Sequence, residues 1–308
     1  MEVDVVGGNA EVFPELEVWG WPIAAYLFLG GLVAGLLVFA GALGFRRDRF
    51  GVAIRTADLW TIPVLVIGLL LLWVDLANRW NAWRLYTAFR PTSAMWWGSW
   101  ILLIALVVAA LRLSLHELEF LQRLPDRVRS AIASLADWVR PRQRMLDLAS
   151  IPIGAAVGLY TGVLLSTIEA RPLWDSALLA PLFLLSGLAS GGALLCLLIT
   201  PAEHRRLAPV SMTLCGIESA LIAGYLVVLY RGTEASRSAA ELLVSGEFAV
   251  PFWAMVVVLG LLIPLGIEIA ERTETISEKA AKTAPVLKLS GAAALRFVVL
   301  FAGLQTFL

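Results

Sequence analysis

Residues 151–195 read IPIGAAVGLYTGVLLSTIEARPLWDSALLAPLFLLSGLASGGALL, and this stretch decides the fold class. Two long apolar runs flank a short polar break at residues 166–176. An apolar run of about 20 residues spans the hydrocarbon core of a bilayer. Because lipid offers no hydrogen-bond partner to an unpaired backbone group, runs of this kind must be helical. The stretch therefore predicts two consecutive membrane-spanning helices.

The rest of the sequence follows the same pattern. The mean hydropathy is +0.82 and charged residues make up 16% of the chain, most of them between apolar runs. We therefore predict an all-α integral membrane protein with eight transmembrane helices. The apolar runs lie at 22–44, 57–76, 95–112, 147–168, 175–200, 210–230, 250–270 and 290–308.

A weak internal repeat predicts how the helices are grouped. Residues 27–35, LFLGGLVAG, resemble residues 182–191, LFLLSGLASG, and four helices separate the two segments. A parallel repeat predicts two four-helix bundles, although small residues are common at helix starts and such a similarity also arises by chance. We assign the first bundle to 22–168 and the second to 175–308. We expect residues 1–21 to form an extracytoplasmic segment, and they lack the basic region of a cleavable signal peptide.

The connection at 113–146, within the first bundle, is predicted to be cytoplasmic. Arginines accompany apolar residues that recur every three or four positions: Val128, Ile132, Leu135 and Val139. This pattern predicts an amphipathic helix on the membrane surface. The helix either has a specific role or is a simple lipid-facing tether.

The distribution of Lys and Arg predicts the orientation. The loops after the odd-numbered runs hold 17 of these residues, and the opposite loops hold 6. Because cytoplasmic loops are enriched in Lys and Arg, we expect both termini to lie outside the cytoplasm.

The protein has few residues that bind metals. Its two histidines, His116 and His204, fall outside the apolar runs, which excludes a bis-histidine haem inside the bundles. Its two cysteines, Cys196 and Cys215, form no CxxC motif and do not supply the four thiolates of an iron–sulfur cluster. Clustered zinc ligands are also missing from the sequence. We expect no metal in this chain, and cysteines that serve as small apolar packing residues.

Two tyrosines are predicted to lie at similar depth near the outer surface. Tyr26 is about five residues, or roughly 8 Å, inside the first run, and Tyr160 is about seven residues, or roughly 10 Å, inside the fourth. Neutral phenol hydroxyls can donate hydrogen bonds to a carbonyl group of a bound molecule. The alternatives are a merely packed Tyr160 and a Tyr26 that anchors the first helix at the interface.

A set of motifs occurs in order between about Trp19 and Leu262. It comprises YLFLGG at 26–31, DL at 75–76, FRPTS at 89–93, WGSW at 97–100, YTG at 160–162, RPLW at 171–174, SGL at 186–188, SG at 245–246 and FW at 252–253. In this order the motifs resemble those of the membrane subunit of polysulfide reductase and its relatives, the NrfD-like proteins.

The resemblance implies a subunit that exchanges electrons between a membrane quinone, menaquinone or ubiquinone, and an iron–sulfur partner. The implied partners are a four-cluster ferredoxin-like iron–sulfur subunit and a molybdopterin-type catalytic subunit. The implied place is the cytoplasmic membrane of a prokaryote, and the implied role is anaerobic respiration. This protein would then supply no catalytic residue and bind no nucleic acid.

The resemblance also implies that Tyr160 helps to hold the quinone head group. The family pattern has a histidine in the first helix where this chain has Tyr26, a poor proton acceptor. Asp75, at the end of the second run, and Arg79 are further candidates for the quinone site. On a continuous helix these two side chains would pair on one face. Asp75 would then either pass quinol protons outward or form a salt bridge that ends the helix.

Glu218 lies near the middle of the sixth run, where a carboxylate is a functional candidate by default. Together with Arg296 and Glu268, and with Glu203 as a further member, it would form a proton relay toward the cytoplasm. The alternative is a static ion pair between Glu218 and Arg296 that fixes helix packing.

Two other functions stay open at this point. Eight helices in a parallel repeat with charges inside the membrane also describe secondary transporters. A structural membrane anchor without quinone chemistry is the third reading of the same sequence.

The predicted orientation is testable by labelling. In a variant with Cys196 and Cys215 replaced by alanine, a cysteine introduced at Gly8 is expected to react with a membrane-impermeant maleimide in intact cells. A cysteine introduced at Arg127 is the control and is expected to react only after the membrane is opened. Labelling of position 8 from the cytoplasmic side alone would contradict the predicted orientation.

Overall fold

The computed structural model of the protein describes residues 19–76, 79–116, 125–168, 170–273, 275 and 277–306. Within these residues, eight helical segments are long and apolar enough to cross a membrane. The predicted all-α fold with eight candidate membrane spans is therefore confirmed. Spans and apolar runs coincide closely, since hydropathy over about 20 residues is the physical requirement for crossing.

The helices have the following bounds. They are α1 (Trp21–Gly44), α2 (Gly51–Asp75), α3 (Arg84–Thr87), α4 (Ala94–Leu113), α5 (Asp126–Val139), α6 (Gln143–Ser166), α7 (Leu179–Leu198), α8 (Pro201–Arg231), α9 (Glu234–Val244), a π-helix (Pro251–Leu262) that continues into α10 (Ile263–Arg272), α11 (Glu278–Ala281) and α12 (Thr283–Gln305). The candidate spans are α1, α2, α4, α6, α7, α8, the π-helix with α10, and α12.

The contacts between spans follow two rings of four helices. In the first ring, α1 and α4 each pack on both α2 and α6. In the second ring, α7 and the π-helix each pack on both α8 and α12. The two rings also contact each other, since α7 packs on both α1 and α6 and α12 packs on α1. The division into two four-helix bundles therefore stays a prediction.

The two repeat segments touch each other at this junction. Gly31 of α1 contacts Gly187 of α7, and Gly35 contacts Gly191, so equivalent positions of the repeats face each other. A Cβ atom at Gly35 would lie only 2.8 Å from the Gly191 Cα atom. Glycine is needed here because helices in lipid associate through close backbone approach. Contact between equivalent positions is what a two-fold relation between the repeats produces.

A buried ionic cluster closes the arginine-rich end of the first ring. Arg112 is 1% exposed. Its Nε donates to Asp58 Oδ1 at 2.6 Å, and its Nη1 donates to Asp147 Oδ1 at 2.8 Å. Its Nη2 donates to the carbonyl of Ala40 at 3.0 Å. One guanidinium thus connects α4 to α1, α2 and α6.

Two further side chains complete this Arg112 cluster from its more exposed side. Arg47 Nη2 lies 2.6 Å from Asp147 Oδ1, and His116 Nε2 lies 2.7 Å from Asp58 Oδ2. Two carboxylates therefore face two permanent cations. The members of this cluster lie at the ends of separate apolar runs, where charged residues are usually solvated, so the sequence alone does not predict it.

The predicted amphipathic helix is present as α5. It continues through a short 3₁₀ turn at Arg140–Arg142 directly into α6. Several of its large apolar side chains are exposed: Val128, Leu135 and Trp138. Its position on the membrane surface stays a prediction.

Replacing Arg112 with leucine tests the role of the cluster in stability. The substitution leaves two buried carboxylates without their shared cation, and breaking a buried ion pair costs about 3–5 kcal/mol. We expect a loss of this size in unfolding experiments in mixed detergent micelles. The control is Arg55→Leu, an exposed position on α2, with an expected change below about 0.5 kcal/mol. Equal stability of the two variants would contradict the assignment.

Candidate functional site

A cavity of about 690 Å³, here called the Tyr160 cavity, lies at the other end of the first ring. Its apolar walls come from α1, α2, α4 and α6: Ile23, Leu69, Leu72, Leu102 and Leu164. Its polar lining comes mostly from the segment between α2 and α4: Asp75, Asn81, Arg84, Arg90, Ser93, Ser99 and Tyr160. Apolar walls with a few polar groups and this volume are typical of small-molecule sites.

Tyr160 is directed toward this cavity by the packing of α6. Gly154 and Gly158 lie against Ala34 of α1 and Leu184 of α7, so the glycine face of α6 is used for helix packing. The Tyr160 ring instead lies against Gly98 of α4, where any Cβ atom would overlap the ring. Glycine at position 98, part of the WGSW motif, therefore makes room for the phenol.

Tyr26 lies next to Tyr160, as the depth estimate predicts. The two phenols interact with each other. Tyr26 is only 1% exposed, so it is a buried residue and not an interfacial anchor. Its hydroxyl is buried and has no hydrogen-bond partner among the described residues. The predicted proximity of the two tyrosines is therefore observed, with Tyr160 on the cavity wall and Tyr26 outside its lining, while their role in binding a quinone stays a prediction.

Asp75 lines the Tyr160 cavity, but Arg79 does not. The predicted pairing of these two residues on one helical face is wrong, because α2 ends at Asp75 and Leu76 is extended. Arg79 begins a short 3₁₀ turn, and its guanidinium lies 6.0 Å from the centre of the Trp73 ring. The arginines that line the cavity are Arg84 and Arg90.

Trp96 and Ser99 of α4 are cavity residues that the sequence analysis did not single out. The Trp96 indole N–H is buried without a hydrogen-bond partner among the described residues. A buried donor of this kind costs about 1–3 kcal/mol if nothing binds it. Ser99 and Arg90 belong to the WGSW and FRPTS motifs, so the motif set contained a signal for them. Trp96 stands directly before the WGSW motif and belongs to none of the motifs.

The polar break between the two rings is held against the end of α12. Arg171 Nη1 donates to the carbonyl of Thr306 at 2.8 Å. The Trp174 indole donates to the carbonyl of Val299 at 2.8 Å, and its ring lies 5.6 Å from that of Trp19, a cavity residue. The RPLW motif therefore fixes the cavity wall relative to the second ring.

Comparison with known proteins decides the family. The family model described as "Polysulphide reductase, NrfD" matches residues 9–308. The chain belongs to the NrfD family. It is 31% identical to protein NrfD of Escherichia coli strain K12, over 95% of this chain and 96% of that protein.

Two relatives with more descriptive names also match this NrfD-family protein. It is 31% identical to a polysulfide reductase chain of Wolinella succinogenes, over 94% of its own length and 95% of the relative. It is 25% identical to a selenate reductase subunit of Mesobacillus selenatarsenatis, over 80% of its own length and 66% of the relative. The family resemblance inferred from the motifs is therefore confirmed.

The second ring of this NrfD-family protein contains Glu218 and Arg296, both buried. Arg296 donates through Nη1 to the hydroxyl of Ser186, and through Nη2 to the carbonyl of Phe183 at 3.0 Å. The Glu218 carboxyl interacts with the same Ser186 hydroxyl and with the charge of Arg296. Ser186 of the SGL motif thus links the two predicted relay residues.

Glu268 pairs with Lys288, which the sequence analysis assigned to a loop. Lys288 Nζ lies 2.7 Å from Glu268 Oε1 and 2.8 Å from Ser211 Oγ, and all three side chains are buried. Because α12 begins at Thr283, Lys288 lies inside a spanning helix. Its charge had shortened the apolar run that marks this helix. Both carboxylate oxygens of Glu203 accept backbone amides at the start of α2, and its predicted role in the relay stays a prediction.

A small cavity of about 10 Å³ lies between Glu218 and Lys288. This volume is at the lower limit for one water molecule. The π-helix lines it through Val256, Gly260 and Leu261. π-helical turns are rare and are frequent at functional sites, so the wall between the two charged groups has an unusual backbone.

Proposed function

We propose that this protein is the quinone-interacting membrane subunit of a respiratory oxidoreductase complex, and that it binds quinone in the Tyr160 cavity. The observation that carries the proposal is the combination of Tyr160 on the cavity wall with the unpaired indole N–H of Trp96. A quinone offers two carbonyl oxygens, which accept the hydrogen bonds that these two donors can make. The apolar walls suit a planar ring.

The charged groups of the cavity suit proton exchange with the bound molecule. Quinone reduction takes up two electrons and two protons, and quinol oxidation releases them. Asp75 supplies a carboxylate in the described lining, while Tyr26 replaces the histidine of the family pattern and cannot serve as a base. Arg84 and Arg90 stabilise negative charge at the same wall. We therefore assign proton exchange to Asp75 and positioning of the head group to Tyr160.

The electron carriers belong to partner subunits. This chain has two histidines and two cysteines, which do not suffice for the haem or iron–sulfur centres considered above. The relatives named for polysulfide reductase and selenate reductase support a place in a multi-subunit reductase. We infer a four-cluster ferredoxin-like iron–sulfur subunit and a molybdopterin-type catalytic subunit as partners. The quinone would be menaquinone or ubiquinone.

The partner is expected to dock beside the Tyr160 cavity. The segment between α2 and α4 presents exposed aromatic side chains there, including Trp80 at 85% and Phe89 at 77% exposure. Arg84 and Arg90 add positive charge next to them. Docking at this end would bring an iron–sulfur cluster near the quinone.

Eight apolar spans place the protein in a membrane, and we infer the prokaryotic cytoplasmic membrane and a role in anaerobic respiration.

The charged groups of the second ring support proton transfer coupled to this reaction. Starting from the arginine-rich end, Glu268 and Lys288 come first, then the small cavity, and then Glu218. Ser186 and Arg296 follow, and Arg296 lies beside Gly31 of α1. Gly31 is about five residues, or roughly 8 Å along α1, from Tyr26. The relay therefore leads from the proposed cytoplasmic side toward the first ring.

Tyr160→Phe tests the quinone site. The substitution removes one hydrogen bond and keeps the ring against Gly98. Since such a bond contributes about 1 kcal/mol, quinone affinity should fall about five-fold, and turnover with quinol should slow. Electron exchange between soluble donors and the partner subunits should be unchanged. The matched control is Tyr230→Phe on α8, outside the cavity, with no expected effect.

Unchanged quinone affinity and turnover in Tyr160→Phe would contradict the site. Assembly of the complex without any bound or turned-over quinone would instead support a structural anchor.

Glu218→Gln tests the relay separately. The substitution keeps the shape of the side chain and removes its exchangeable proton. In proteoliposomes, the number of protons moved per quinol oxidised should fall while quinone affinity stays at the wild-type value. Glu241→Gln, at an exposed position of α9, is the control. Full proton movement in Glu218→Gln would remove Glu218 from the relay without affecting the quinone assignment.

A further inference from the structure

A third cavity, here called the His204 cavity, lies at the arginine-rich end of the second ring. Its volume is about 420 Å³, and it is lined by the ends of α7, α8 and α10 and by the residues before α12. It shares no lining residue with the Tyr160 cavity, and none of the proposed relay residues lines it. Its polar side chains are His204, Arg205, Glu271, Arg272 and Lys282.

The charge of this lining is positive. Arg205, Arg272 and Lys282 are not within ion-pair distance of any carboxylate in the described parts of the protein. The Glu271 carboxylate is already engaged, because His204 Nε2 lies 3.3 Å from one of its oxygens. The other ring nitrogen, His204 Nδ1, lies 3.1 Å from the carbonyl of Cys196. Three cations thus surround the cavity, and its one lining carboxylate is paired.

The backbone adds to this positive potential. α8 begins at Pro201, which lines the cavity, and α12 begins at Thr283, next to the lining residue Lys282. The amino end of a long helix carries a partial positive charge and favours anions. Glu203 in the first turn of α8 offsets part of this charge, whereas the first turn of α12 has no acidic residue. Three cations and the start of α12 therefore favour a phosphate group in this cavity.

The surroundings of the cavity suit an amphiphile better than a free anion. The cavity is also lined by apolar groups, among them Ile199 and Ala208. The helices that form it expose apolar side chains within about two turns: Leu198 at 42%, Val210 at 44% and Ile269 at 48%. Acyl chains can lie along these residues while a head group occupies the cavity.

We propose that the His204 cavity binds the phosphate head group of an anionic phospholipid. The arginine-rich end of the protein is the one that we predict to be cytoplasmic, and basic pockets between helices on that side suit anionic lipid head groups. A bound lipid would join the ends of α7, α8 and α10 to the start of α12. It would thereby stabilise the ring that contains Glu218 and Lys288. The proposal does not depend on the quinone assignment.

The test compares lipids on the full-length protein purified in a mild zwitterionic detergent. Native mass spectrometry measures binding of phosphatidylglycerol and phosphatidylethanolamine, and thermal unfolding measures stabilisation by each lipid and by inorganic phosphate. We expect phosphatidylglycerol to bind at least ten-fold more tightly than phosphatidylethanolamine and to raise the unfolding temperature. Inorganic phosphate at millimolar concentration should have no effect.

The variant carries Arg205→Gln, Arg272→Gln and Lys282→Gln together, and it should lose the ten-fold preference. The control carries Arg46→Gln, Arg55→Gln and Arg144→Gln, three exposed cations at the same end of the first ring, and should keep the preference. All three cavity positions are exposed, so the core is unchanged. If the triple variant does not fold, each single substitution should still weaken phosphatidylglycerol binding two- to five-fold.

Three results would overturn the proposal. The first is equal loss of the lipid preference in both triple variants, since general surface charge would then explain it. The second is equal binding of the two lipids by the unchanged protein. The third is stabilisation by inorganic phosphate to the same extent as by phosphatidylglycerol, because the cavity would then be a site for a free anion.

Discussion

Inside a bilayer every polar group must find its partner within the protein, and this constraint governs the whole structure. Backbone groups satisfy it by forming helices. Arg112 satisfies it with two aspartates and a carbonyl. Among the described residues, four buried side-chain atoms do not satisfy it: Tyr26 Oη, Trp96 Nε1, Glu268 Oε2 and Arg296 Nε. Two of these atoms lie at or behind the Tyr160 cavity, and two lie in the relay of the second ring. The unmet hydrogen bonds therefore coincide with the places where a bound molecule or a moving proton would supply the partner.

The two rings have a similar arrangement of four helices, but they differ in their side chains and cavities. Gly31 and Gly35 meet Gly187 and Gly191, so the two halves join where their sequences are most alike. In the same register, Tyr26 of the first half corresponds to Leu182 of the second. The first ring thus has a phenol pair and a large cavity, whereas the second ring has a chain of charged groups around a cavity of about 10 Å³. These differences are the basis for proposing quinone binding in the first ring and proton transfer in the second.

Hydropathy alone predicted the fold because crossing a membrane requires a long apolar run. The depths of Tyr26 and Tyr160 along their runs also predicted that these two side chains lie close together. Hydropathy does not predict where helices end. A helix continuing past Asp75 would have paired Asp75 with Arg79, but Leu76 is extended and this pairing is wrong. Hydropathy also assigned Lys288 to a loop and overlooked Arg112, because a charged residue lowers the hydropathy that defines a span. Which charges are buried depends on partners from distant helices, and a single sequence does not show these contacts.

The central claim is that quinone binds in the first ring at Tyr160, and photolabelling of the assembled complex tests it most directly. An azido-substituted short-chain quinone is bound to the complex and activated by light, and the labelled peptides of this protein are identified by mass spectrometry. The account predicts labels on residues that line the Tyr160 cavity, on α4 and α6, and their loss when excess natural quinone competes. Competable labels confined to the second ring, or labels only on lipid-facing residues, would contradict it.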